Sequence, residues 1–337
     1  MTKGTKAFRV TICILLALNM LWSAFFGAAF IAYAKYMILT DEYGIWVAGV
    51  SVNSRNKGDI LGDGTVSYNA AHNLLTFHNA NIETKHAIVQ SEIELRIQLI
   101  GENKVVCKDA DYIPAIYAAD NYLNKDLSFE GDGSLTLELR NVSESVQGIL
   151  AQNLTIATDI TIIMPDCEKI ANGIVCDSSL ILADGATVTV NNGAAQSSAA
   201  VRIRGNVLLE EGTALIVSTN PGTTAACKGL SINGDLILGK NALVDVSIDD
   251  ASTDEGECVR VTGALEVGSG ATLRAAAKKA HAVECFGVIK ANADATVSAA
   301  TAAQKADVIC YGAIVNNGAT IQAEPEALGG IHNKSGN

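Results

Sequence analysis

The chain has 337 residues, of which 49% are apolar and only 5% aromatic, with 30 glycines, 4 prolines and a formal charge of −12. That length and apolar content support one large or two ordinary domains and exclude a disordered or collagen-like chain. The first 34 residues carry Lys3, Lys6 and Arg9 and no acid, so the remainder stands at −15. So acidic a body repels phosphate backbones, and nucleic acid is not an expected partner.

Residues 1–9 form a short basic segment, and residues 10–34, VTICILLALNMLWSAFFGAAFIAYA, contain no charge. Twenty-five uncharged positions exceed the roughly 20 that a helix needs to cross a bilayer core. The segment predicts export, either as a retained signal anchor or as a signal peptide cleaved after Ala34, where Ala32-Tyr33-Ala34 supplies small residues. Positive charge before the apolar run keeps the N-terminus cytoplasmic and sends residue 35 onward outside. The expected location is therefore the cell membrane, single pass with an extracytoplasmic C-terminal domain, or secreted if cleaved.

Residues 41–84 carry strand signals without a clear repeat and suit a terminal cap, which repeat arrays need to cover their core. From residue 85 to 323 the sequence repeats itself. One repeated element is a turn followed by alternation: DGATVTV, EGTALIV, KNALVDV, SGATLRA, ADATVSA and NGATIQA, with the turn residue at Gly185, Gly212, Asn241, Gly270, Asp294 and Gly318. The period within each copy is two, so Ala186, Val188 and Val190 share a strand face, as do Leu215 and Val217, or Val244 and Val246. In the last copies the same face shrinks to Ala271, Leu273, Ala275 and then Ala295, Val297, Ala299, which predicts a narrowing core.

A second element, in copies such as NGIVCDS, KGLSING, VRVTGA, FGVIKAN and YGAIVNN, has its pivot at Ala115, Gly148, Gly173, Arg202, Gly229, Arg260, Gly287 and Gly312, with an earlier copy near Ala87. These copies predict an all-β, right-handed parallel β-helix of about nine coils behind one transmembrane helix, the handedness following the rule for parallel crossovers. A repeat-containing β-sandwich is the alternative, and it does not require like residues at one phase of every copy. Residues 324–337 read as a flexible tail.

GIWVAGVSV, LGDGTVSYNAAHNLLTFHNANI, AIYAADNYL and FEGDGSLTLELRN resemble the repeat region of Gram-positive gut bacterial surface proteins labelled as carbohydrate-binding-domain-containing. The resemblance is clearest over residues 43–190. It implies a parallel β-helix with an exported binding role, and it assigns no site residues.

Four cysteines, Cys227, Cys258, Cys285 and Cys310, stand two residues before their pivots, in a column that continues as Ala200, Ala171, Val146 and Ile113. The expectation is a structural ladder of inward thiols, packed or joined between coils by disulfides, since strand spacing falls within disulfide reach. Cys167 and Cys176 either pair or pack. Asp249, Asp250, Asp254, Glu255 and Glu257 gather around one loop; they are read as a solvated acidic loop with calcium as the only cofactor to consider, although the D-x-[DN]-x-[DN]-G pattern is missing. His72, His78 and His86 are explained by strand and turn positions without a metal.

Catalysis on acidic polysaccharides needs paired carboxylates on one solvent-facing strand. The outward columns hold mainly Thr, Ser, Gln and single charges, and no GxSxG, HExxH or GxxxxGK occurs. The chain is therefore expected to be non-catalytic, a surface protein binding a glycan or a protein. A spacer rod and a polysaccharide-cleaving enzyme are the rival readings. Sugar recognition uses exposed aromatic faces, and Trp46 is the one tryptophan after residue 34; Tyr117, Tyr122 and Tyr311 read as half-buried at strand edges, with aromatic platforms as the alternative, so a glycan partner is what the resemblance implies.

Overall fold

The computed structural model describes residues 18–31, 40–109, 112–121, 123–141, 145–166, 170–194, 197–220, 226–249, 256–278, 281–301, 308–324 and 331–333. The chain divides into one unit of residues 1–43 with 53–55 and a second of 44–52 with 56–337. In the first unit residues 18–31 are helical, with Met20, Leu21, Trp22, Phe25 and Phe30 exposed. Among the described residues no helix is long and apolar enough to cross a membrane. Residues 10–17 and 32–34 of the expected span lie outside the described residues. Asp41 and Ser54 close on each other: the Ser54 amide donates to the Asp41 carbonyl at 2.9 Å and the Asp41 amide to Ser54 Oγ at 3.1 Å.

The second unit is an all-β parallel solenoid whose coils pass through three sheets in the order B, C, A. One coil serves for all: Leu236–Leu238 lies in sheet B, Leu243–Ile248 in sheet C and Glu257–Val261 in sheet A. Each strand pairs in parallel with its counterpart one coil away, as in Leu236↔Leu265, Val244↔Leu273 and Val259↔Val283. Eight coils have parallel partners on both sides in all three sheets. They lie between a first coil of Leu74–His78, Asn81–Thr84 and Val89–Ser91 and a last of Ile314–Asn316, Thr320–Glu324 and Ile331–Asn333, which differs slightly from the nine expected. Parallel pairing thus begins within the segment read as a cap. The antiparallel closure comes from Glu42–Val47 against Val89–Ser91 in sheet A and Val66–Asn69 against Leu74–His78 in sheet B.

The two-residue period is met throughout. Val188, Val190, Leu215, Val244, Val246 and Leu273 are wholly buried, and in the column Val190–Val217–Val246 the later coils place the smaller Ala275 and Ala299. Each fully buried Val or Leu contributes about 1.5–3 kcal/mol, and parallel in-register stacking repeats that gain at every coil. The turn from sheet B to sheet C demands a left-handed residue. All six expected turn residues provide one: φ is +74° at Gly185, +72° at Gly212, +58° at Asn241, +68° at Gly270, +59° at Asp294 and +95° at Gly318. Only Gly, Asn and Asp adopt this region at small cost.

The corner from sheet A to sheet B is tighter still. It is three residues long in six successive coils, 177–179, 204–206, 233–235, 262–264, 286–288 and 311–313, and the B-to-C turn is four residues in five, 183–186, 210–213, 239–242, 268–271 and 292–295. The passage from C to A varies: 195–196, 220–225, 249–256, 278–280 and 302–307. Across these coils length therefore changes at one corner only, whereas the coils before them have shorter turns, such as 152–153 from A to B and 157–158 from B to C. At the middle of the A-to-B corner, glycines stack. A Cβ on Gly234 would sit 2.6 Å from the Gly205 carbonyl carbon, on Gly263 2.7 Å from that of Gly234, and on Gly287 2.6 Å from that of Gly263.

These glycines correct the cysteine ladder. The pivots read from sequence merge three columns: Gly148, Gly173 and Gly229 lie inside sheet A strands, Arg202 and Arg260 share an outward column of that sheet, and Gly287 and Gly312 lie at the corner beyond it. Val261, not Cys258, is the partner of Cys285, and Cys285 pairs with Cys310. Cys258 stands three residues earlier on its strand, between Glu257, partner of His281, and Val259, partner of Val283. Cys227 pairs with Ser198 in yet another column. Of the four, only Cys285 and Cys310 are neighbours.

Stacking at this distance leaves no room for a methyl group. Gly287→Ala is expected to lower stability by about 1–3 kcal/mol, the cost of forcing extra volume into a packed site. Gly58→Ala, at a position with nothing within 4 Å and no left-handed φ, should change it by less than about 0.5 kcal/mol. Urea unfolding followed by circular dichroism distinguishes the two.

Candidate functional site

One cleft opens on sheet A near the N-terminal end of the solenoid unit. Strand alternation turns Trp46 outward between the buried Ile45 and Val47, Gln90 between the buried Val89 and Ser91, and Tyr117 between the buried Ile116 and Ala118. Pairing then aligns the three: Trp46 opposite Gln90 in the antiparallel pair, and Gln90 opposite Tyr117 in the parallel one. Two strand spacings put the aromatic residues roughly 10 Å apart with the amide between them. Together with Lys85 and His86 they line a cleft of about 310 Å³.

The wall of this cleft is built by a close approach. Gly49, at φ +82°, lies so near His86 that a Cβ would come within 2.7 Å of the imidazole Cδ2. Burial holds the Tyr117 phenol above its ordinary pKa, so it is a neutral donor and acceptor. Lys85 faces Asp109 at 3.8 Å, both well exposed, a pair worth little to stability. The site offers two aromatic faces, one amide with both donor and acceptor, and a cationic rim. No carboxylate lines it among the described residues. Farther along the same column stand Leu150, Val175, Arg202, Ser231, Arg260 and Glu284, none of them aromatic. A second pair of aromatic faces lies at the corner beyond its far end, where Phe286 and Tyr311 stack with ring centroids 4.7 Å apart and the Arg260 guanidinium lies 5.1 Å from the Phe286 ring.

A larger groove of about 750 Å³ runs along the C-terminal ends of the sheet C strands. Its outward positions Asn191, Ser218, Ser247, Ala276 and Ala300 follow one another coil by coil. Asp249 lines its rim and pairs with Lys278, while its backbone amide donates to the Thr219 carbonyl at 2.9 Å. Glu257 is committed elsewhere, to Lys228 at 3.0 Å on sheet A. Asp250, Asp254 and Glu255 lie outside the described residues. The two described acids of the loop thus serve separate lysines. Among the described residues no group of three or more His, Cys, Asp or Glu side chains could hold a metal ion. His72 lines a separate small cleft with Glu94, Arg96 and Asp126, away from His86.

Sequence reading missed a polar ladder at the A-to-B corner. Asp126 Oδ1 accepts from the Asn153 amide and from its Nδ2 at 3.1 and 2.9 Å, and Ser179 Oγ donates to Asn153 Oδ1 at 2.7 Å. Farther on, Asn206 Oδ1 accepts from the Asp235 amide at 2.9 Å and Asp235 Oδ1 from the Ala264 amide at 2.7 Å. The signal was the residue before each sheet B strand, in DLSF, NLTI, SLIL, NVLL and DLIL. These side chains satisfy corner amides that no strand reaches.

Cys107, Cys176, Cys285 and Cys310 are buried free thiols and Cys258 is buried as well; Cys13, Cys167 and the Cys227 side chain lie outside the described residues. Cys285 Sγ lies 3.5 Å from the Gly263 carbonyl oxygen and Cys310 Sγ 3.5 Å from that of Gly287, the same setting one coil apart. Cys258 Sγ instead lies 3.3 Å from the Val246 carbonyl oxygen on sheet C. Burial pushes the Cys107 thiol up to about 11 and Cys285 up to about 12, and raises Cys176 and Cys310 as well.

Comparison with protein-family models, with curated proteins and with solved structures finds no match.

The raised thiols fix a sign. Below the ordinary thiol value of 9.0 both folded and unfolded chains hold these protons. Above it the unfolded chain loses them first, so this contribution to stability is lost as pH rises from 9.0 to about 12. The urea midpoint should fall over that window, and fall less steeply in Cys285→Ala than in the unaltered chain. Parallel curves would contradict the buried, protonated thiol.

Proposed function

We propose that the chain is a non-catalytic, extracytoplasmic surface protein that binds a glycan at the Trp46–Gln90–Tyr117 cleft. The observation that supports this reading is the pairing Trp46↔Gln90↔Tyr117, which brings together two aromatic residues 71 positions apart with an amide between them. A sugar ring presents an apolar face to an aromatic plane and hydroxyls at its edge to an amide, and the cleft of about 310 Å³ has the scale of one or two rings. The resemblance to bacterial carbohydrate-binding surface proteins points the same way. A lining without carboxylates among the described residues favours binding over hydrolysis, which needs a positioned acid and base.

In this reading residues 10–34 serve as a signal anchor, residue 35 onward lies outside the membrane, and the coils wind right-handed in keeping with the crossover rule. A mature N-terminus at Lys35 instead of at the start of the chain, found by sequencing the purified protein, would make the segment a cleaved signal and the protein secreted.

Trp46→Ala and Tyr117→Ala should each weaken binding on a glycan array by roughly tenfold or more, as truncation of a stacking aromatic does, with circular dichroism unchanged because both side chains lie on the outer face. Wild-type protein that binds no glycan on the array would leave the spacer reading in its place. Release of new reducing ends from pectin-like polymers would establish the enzyme reading.

A further inference from the structure

The corrected register leaves one pair of cysteines in direct apposition. Cys285 and Cys310 are strand partners on adjacent coils of sheet A, both wholly buried, each with its sulfur 3.5 Å from the carbonyl oxygen of the corner glycine one coil before. Among the other described cysteines none has a cysteine as strand partner: Cys107 pairs with Thr84 and Leu139, Cys176 with Ala151 and Ile203, and Cys258 lies three residues from the column. Parallel partners stand about 4.8 Å apart at Cα, inside the roughly 4.4–6.8 Å that a disulfide spans.

The pair also sits where the solenoid is least secured. Cys310 belongs to Val308–Cys310, followed by the last strand of its sheet, Ile331–Asn333. In that final coil Ile314 and Ile321 are only half-buried and Val315 and Ile331 are exposed, in contrast to the wholly buried Leu265 and Leu273 at the same positions two coils earlier. Local opening begins in such regions of sparse burial, and opening from this end uncovers Cys310 before any other described cysteine. Closed, the thiols are shielded; opened, they ionise in water and react.

We propose that Cys285 and Cys310 form an oxidisable dithiol whose disulfide clips the last coils of the solenoid together. With a small-molecule disulfide as oxidant, the opened Cys310 thiolate attacks one sulfur and expels one thiolate. The Cys285 thiolate then attacks the Cys310 sulfur of the mixed disulfide and expels the second. Two electrons pass from the protein to the oxidant, and the two protons end on the released thiols. The bond closes a loop of the chain and restrains the C-terminal coil against opening.

The test uses the full chain, purified reduced and then held in mixtures of oxidised and reduced glutathione, with acid quenching, alkylation and tryptic mapping. The expected product is a cross-linked peptide pair containing Cys285 and Cys310, lighter by two hydrogens and separated by dithiothreitol. Hydrogen exchange at Val308–Cys310 should slow by roughly tenfold or more in the oxidised form. Cys310→Ser should abolish both effects, and Cys258→Ser, which removes a buried thiol outside the pair, should leave both intact. Alkylation of both thiols after oxidation, glutathione adducts without the cross-link, or a cross-link to Cys258 would each overturn the proposal.

Discussion

Everything in this molecule depends on the backbone hydrogen bonds that tie each coil to the next. A parallel ladder holds neighbouring strands at about 4.8 Å, and every side chain is stacked on its counterpart at that spacing. The stack tolerates only what can sit on a copy of itself. Small and β-branched apolar residues do so inside; Thr, Ser and Asn do so outside; at the middle of the corner between sheets A and B Ser178 gives way to glycine from Gly205 onward, because the carbonyl of the coil before occupies the space a methyl group would need. Between residues 177 and 313 the constant corner lengths of three and four residues follow from the same spacing, since one extra residue would put the next strand out of phase.

Hydrogen bonding also decides how the ends are treated. At the first coil antiparallel strands cover the edges of sheets A and B, so exposed amides and carbonyls there find partners. The polar ladder through Asp126, Asn153 and Ser179 does comparable work along a corner, where the chain leaves one sheet before entering the next. Side chains supply there what the ladder cannot.

Much of the architecture was legible because stacking copies a local preference many times. The turn at Gly185 and its five successors was readable from residue type alone, since a left-handed φ restricts the choice to Gly, Asn and Asp. The inner column through Val188, Leu215, Val244 and Leu273 followed from a period of two. Register was less legible. Glycine recurs both inside sheet A, where Gly173 and Gly229 lie against the Val190 and Val246 side chains, and at the next corner, where Gly263 and Gly287 lie against the backbone of the neighbouring coil, and a letter cannot say which. Cys258 was counted from Arg260, an outward strand residue three positions before the true corner at Gly263, and so stood three residues out of register. The site was the least legible: Trp46, Gln90 and Tyr117 are distant in sequence and meet through one antiparallel and one parallel pairing, which no local pattern encodes. The apparent acidic cluster failed in the opposite sense, because Asp249 and Glu257 are near in sequence yet serve different lysines.

The passage from sheet C to sheet A stands apart from the other two corners. Its length runs from two residues at 195–196 to eight at 249–256, while the stacks on either side keep their phase. In the coils from residue 177 to 313 two corners are fixed and one is elastic, so new peptide can be added on a single edge without any change to the interior. Foreign loops grafted there would line up along that edge at one-coil intervals, making it the natural place to build a multivalent surface on this scaffold.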